Sequence, residues 1–146
     1  MKDSYHYLCD QFKGERSAYL KGHLIHQYGW PEAQAYQAVR QYVMFLYIAS
    51  LNLHRHLVPT QQIDRVWEAD ILHNTAQYIR TCQQICGEVI HHAADSQIQQ
   101  ISELSKLESA FAETQRLFAQ HFGECSLGSS AVTAAACGVL ISAKPQ

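Results

Sequence analysis

The stretch from Glu32 to Leu51, EAQAYQAVRQYVMFLYIASL, contains neither proline nor glycine. Ala35, Ala38, Val39, Tyr42, Val43, Leu46, Tyr47 and Ser50 recur in it at steps of three and four, the spacing of one face of an α-helix. Between Tyr42 and Ile48 the apolar residues continue nearly all the way round. A helix that is apolar on every side must be wrapped by other elements. This feature constrains the fold most. It predicts a central buried helix inside an all-α, irregular single-domain bundle of about five to six helices. Trp30-Pro31-Glu32 predicts the start of that helix: proline at the first helical position loses no needed hydrogen bond, and an acid in the first turn suits the dipole.

The remaining elements follow from the same two periodicity and breaker signals. Residues 3–13 read as a short helix, with Tyr5, Leu8, Cys9 and Phe12 at helical spacing. A second helix is expected over Glu15–Tyr28, closed by Gly29, which has no Cβ to clash in a left-handed cap. Residues 52–60, NLHRHLVPT, read as a loop ending in Thr60, a good N-cap. Helix 61–73 then carries Ile63, Val66, Trp67, Asp70 and Ile71 on one face. Asn74 is expected to cap helix 75–86, whose face is Tyr78, Ile79, Cys82, Ile85 and Cys86, and Gly87 to close it. Asp95-Ser96 is expected to cap a last helix at about 97–122, with a stripe of Ile98, Ile101, Leu104, Leu107, Phe111, Phe118 and Phe122. From 125 to 146 the composition turns to small residues without aromatics, so residues 1–124 read as the helical domain and 125–146 as a C-terminal tail.

Hydrophobic residues at 47% against 16% charged residues supply a packed interior. The net charge is −2 and lysines and arginines are scattered, which argues against nucleic acid as a partner. No run approaches the ~20 apolar residues that a membrane helix needs. Five cysteines at irregular spacing and a polar start, MKDSYHYLCDQFKGER, point to a cytoplasmic chain with free thiols.

Residues 57–92 carry a resemblance. Val58-Pro59-Thr60, Ile63-Asp64, Trp67, Ile71-Leu72, Tyr78, Cys82, Gly87 and His91-His92 follow one another at set spacing. Phe45-Leu46-Tyr47 precedes them and residues 107–124, LESAFAETQRLFAQHFGE, follow. Over roughly residues 42–124 the chain resembles the glycine-rich domain-containing protein-like family of bacteria and plants. The resemblance implies a fold and a site position rather than an activity, with Trp67, Tyr78 and Cys82 as the structural motif. Two departures stand out. The family's two histidines after the tryptophan are Glu68 and Asp70 here, with His73 where relatives often carry an acid. The tail keeps only Cys125 and Cys137 in place of a dense Cys/Gly run.

The acids and imidazoles of this stretch are the candidate chemistry. Asp64 and Glu68, four apart, share a helix face, and Asp70 and His73, three apart, can also meet. His91 and His92 can fold back onto them. Asp64, Glu68, Asp70, His73, His91 and His92 thus form a candidate ligand set for Zn, Fe or Mn, which accept both oxygen and nitrogen. The plainer reading has Asp64 serving its own helix start and the histidines bonding to backbone carbonyls. Trp67 reads as core, its indole N–H given to a carbonyl or carboxylate, with Asp64 as one acceptor. Cys82 and Cys86 lie one turn apart, a poor geometry for a disulfide, and read as buried thiols. His54 and His56 read as solvated loop residues.

No phosphate-cradling glycine loop, G-x-S-x-G or H-E-x-x-H occurs, so nothing in the motifs calls for an enzyme. Three functions fit. The first is a non-catalytic helical binding or scaffold domain with a protein partner, or a second copy, on a helix face or the tail. The second is a metal-binding protein, hydrolytic or oxidative. The third is a folded carrier of a modified or exported C-terminal peptide, with a junction near Leu127-Gly128.

Overall fold

Among the described residues six helices wrap one another in the order α1 (Ser4–Gln11), α2 (Glu15–Tyr28), α3 (Glu32–Leu51), α4 (Gln61–His73), α5 (Thr75–Cys86) and α6 (Ile101–Phe122). A computed structural model describes residues 3–94, 101–124, 126–127 and 139–141. The expected cap at Asp95-Ser96, residue Ile98 of the last stripe, and the tail cysteines Cys125 and Cys137 lie outside the described residues. The fold is an all-α bundle. The extended structure among the described residues is one antiparallel pair of short strands, β1 (His92–Ala94) with β2 (Val139–Ile141), in the register His92 to Ile141.

The caps show why the helices begin and end where they do. Thr60 accepts a hydrogen bond from the Ile63 N–H at 3.1 Å and opens α4. Asn74 serves two helices: its backbone N–H reaches the Asp70 carbonyl at the end of α4, and its side chain accepts from the Gln77 N–H at the start of α5. Gly29 and Gly87 close α2 and α5 in the left-handed region, with φ of 68° and 81°. At the start of α3, Pro31 is the cap itself, extended at ψ 153°, and Glu32 takes the first helical position. The expected helix over residues 3–13 spans Ser4–Gln11, with Asp3 as its capping side chain.

Helix α3 lies at the centre and packs against all five of the others. Its residues from Tyr42 to Ser50 are buried except Tyr47, as the all-round apolar pattern requires. On α6 the buried face is Ala110, Thr114, Leu117 and Phe118, with Leu107, Phe111 and Phe122 at its edge. Thr114 fills the gap in the apolar stripe between Phe111 and Phe118. Its hydroxyl accepts from the Val58 N–H at 3.0 Å and donates to the Ala110 carbonyl at 3.1 Å, so a polar residue docks α6 onto the loop before α4. Beyond the exposed Gly123 and Glu124, Ser126 and Leu127 return to the body. Leu127 is buried, and Gln41 donates to the Ser126 carbonyl at 2.9 Å. Leu127 of the proposed junction is therefore covered, and Gly128 lies outside the described residues. No helix among the described residues is long and apolar enough to cross a membrane.

Candidate functional site

Trp67 sits midway along α4 on its buried face and is fully covered. Its indole N–H donates to the Tyr78 hydroxyl on α5 at 2.9 Å. That hydroxyl in turn donates to the carbonyl of Ile90. The two bonds tie α4, α5 and the segment after Gly87 together, and they explain why the chain turns back at residue 90. Asp64, expected as the acceptor for the indole, is instead bonded to His92. Tyr78 takes that role because it projects from the neighbouring helix at the level of the indole nitrogen. The ring of Phe45 on α3 closes the other side of Trp67, with centroids 5.4 Å apart.

The turn at Ile90 delivers His92 to α4. Its Nε2 lies 2.7 Å from Asp64 Oδ1, and its ring stands edge-on to Trp67 at 4.6 Å and 81°. Both partners are largely out of water, with side chains 10% and 4% exposed. Glu68, one helical turn beyond Asp64, completes the group: one ligand atom from each of Asp64, Glu68 and His92 lies within 4.8 Å of the other two. Three of the six residues proposed as a ligand set are thus brought together. The other three are elsewhere. Asp70 faces the opposite side of α4, His73 stacks on Tyr19 with centroids 3.7 Å apart, and His91 is exposed.

Asp70 is held by a network that motif reading did not reach. Arg16 on α2 grips both its carboxylate oxygens, Nε to Oδ1 at 2.9 Å and Nη2 to Oδ2 at 2.8 Å. The Tyr42 hydroxyl on α3 donates to Oδ2 at 2.7 Å, and Arg16 Nη1 donates to Thr81 Oγ1 on α5 at 3.0 Å. The guanidinium also lies over the Phe12 ring, 4.0 Å from its centroid. Four helices therefore share one buried ion pair. The signal was present in the sequence, because Asp70 falls on the apolar face of its helix and a buried carboxylate requires a cation. Nothing in the one-dimensional pattern chooses Arg16 from the eleven lysines and arginines.

Burial pushes the Tyr42 phenol well above its ordinary range, and the adjacent Asp70 carboxylate adds to the shift. Burial does the same for Tyr78, with the neighbouring Cys82 next in size. A phenol raised in the folded state favours folding below the unfolded tyrosine value of ~10, and the contribution is lost as pH climbs above it. The urea midpoint is therefore expected to fall above pH ~10, less steeply in Tyr42→Phe than in the parent chain. A midpoint with the same pH slope in both chains would show that Tyr42 contributes nothing to the alkaline limb. Burial also raises the thiols of Cys82 and Cys86, which suits packing rather than nucleophilic attack.

Comparison with protein-family models, with curated proteins and with solved structures finds no match to this chain.

Proposed function

We propose that this chain is a non-catalytic helical binding or scaffold domain of the glycine-rich domain-containing protein-like type, which associates through an aromatic strip on α2 and α4. The observation that carries this reading is a continuous run of ring contacts. His73 stacks on Tyr19, Tyr19 on His23, His23 meets Tyr28 edge-on at 6.4 Å, and Tyr28 meets Trp30 at 5.6 Å, with the Arg65 guanidinium over Tyr28. Tyr19 is 40% exposed, Tyr28 37% and Ile25 38%, while Leu72, beside His73, is 82% exposed. Rigid aromatic side chains offer contact area at low entropic cost, and an exposed leucine gains from being covered.

The buried side of the same helices supports a scaffold role. Arg16 on α2 and Trp67 and Asp70 on α4 are committed to bonds that hold helices together. The partner is a second copy of the chain, because a net charge of −2 gives little mutual repulsion to oppose contact between apolar strips. A cytoplasmic setting belongs to this reading and is supported by the free thiols of Cys9, Cys82 and Cys86; the scattered basic residues argue against a nucleic-acid partner. Light scattering during size-exclusion chromatography over a wide concentration range tests it. A dimer is expected for the parent chain and a monomer for Leu72→Asp, with the melting temperature unchanged. A parent chain monomeric at the highest concentration, or a Leu72→Asp variant as dimeric as the parent, removes the reading.

A further inference from the structure

Beyond association, we propose that Asp64, Glu68 and His92 form a site for a single divalent first-row transition cation that clips α4 to the segment following α5. The donor set comes from two parts of the chain that the fold brings together, not from one acidic run. Asp64 and Glu68 project from successive turns of α4, and His92 arrives from beyond Gly87 because the Tyr78 hydroxyl holds the Ile90 carbonyl. The three donor atoms lie within 4.8 Å of one another. Donors bound to one ion at ~2.0–2.2 Å stand at most ~4.4 Å apart, so small side-chain rotations close the set. Asp64 and His92 begin at 2.7 Å. Neighbouring donors around such an ion sit ~3.0–3.4 Å apart, and insertion asks this pair to open by only a few tenths of an ångström.

Three further features suit a cation. Carboxylates one helical turn apart repel each other, and a dication between them reverses the sign of that interaction. The imidazole is already oriented, edge-on to a tryptophan that is itself fixed by Tyr78 and Phe45. The ligands are largely out of water, with Asp64 buried, the His92 side chain 10% exposed and Glu68 partly covered. Two carboxylate oxygens and one imidazole nitrogen suit Zn²⁺, Fe²⁺ or Mn²⁺, and the absence of sulfur in the set disfavours Cu⁺.

The test uses the full chain purified without an affinity tag, stripped with chelator, and titrated separately with Zn²⁺ and Mn²⁺ by calorimetry, with thermal melting alongside. One equivalent is expected to bind and to raise the melting temperature. Glu68→Gln keeps size and shape at a half-buried position, and its metal-free melt and circular dichroism establish that it folds. It is expected to weaken binding by more than the ~10–100-fold that loss of an outer partner causes. His91→Ala is expected to bind as the parent does, because that imidazole is exposed and stands outside the group. Substitution with Co²⁺ is expected to give visible bands of oxygen and nitrogen ligation. No saturable binding by the parent chain overturns the site and leaves Asp64–His92 a plain hydrogen bond. Equal affinity in Glu68→Gln, loss of binding in His91→Ala, or a thiolate-to-cobalt band from Cys82 or Cys86 would each place any bound metal elsewhere.

Discussion

Trp67→Ala is expected to lower stability by about 3–5 kcal/mol, the range for truncating a buried aromatic residue. The side chain is fully covered, so most of the loss is transfer free energy and the cavity left between Phe45 and α5. Part is polar. The Tyr78 hydroxyl loses a donor while keeping its bond to the Ile90 carbonyl, and the edge contact that orients His92 disappears. Small domains have only about 5–15 kcal/mol in total, so the loss is a large share of the stability. Urea denaturation measures the loss directly. Trp67→Phe, which keeps the apolar ring but not the N–H, is expected to fall between the variant and the parent. A Trp67→Ala midpoint as high as that of an exposed-site variant such as Gln62→Ala would place the indole in water and dissolve the lock.

Arg16→Met is expected to cost about 3–5 kcal/mol, because it strands a buried carboxylate. Asp70 is 1% exposed and would keep the Tyr42 hydroxyl as its one hydrogen-bonding side-chain partner in this network. The double variant Arg16→Met with Asp70→Leu is expected to recover most of that loss, since apolar groups of similar volume often replace a buried pair at little net cost. Recovery in the double variant separates the stranded charge from the packing of the arginine stem against Phe12. The exposed pair Lys13–Asp10 is the reference, and its loss is expected to cost no more than about 1 kcal/mol. An Arg16→Met variant as stable as Lys13→Ala would show the ion pair to be dispensable.

The helices were legible because their signals are local. Periodicity over Glu32–Leu51 required a central helix, and Thr60, Asn74, Gly29 and Gly87 punctuated the chain at the places where helices begin and end. Thr114 is hidden in the sequence because a threonine in a stripe looks like a break, whereas the residue is fully buried and its hydroxyl bonds within the helix and to Val58. Of the site, the sequence could place Asp64 and Glu68 together, since a helix fixes residues four apart. It could not rank His91 against His92. Adjacent residues leave an extended backbone on opposite sides, and which one faces α4 depends on how the turn after Gly87 is held.

Local spacing and end signals, then, determined the number, order and character of the helices and put Trp67 in the interior. Only the tertiary structure decided the partners: Tyr78 rather than Asp64 for the indole, Arg16 for Asp70, and His92 rather than His91, His73 or Asp70 for Asp64 and Glu68. The physical reason is range. Helix formation depends on residues within a turn or two, but a buried polar group takes whichever complementary atom the packing of distant segments brings within about 3 Å.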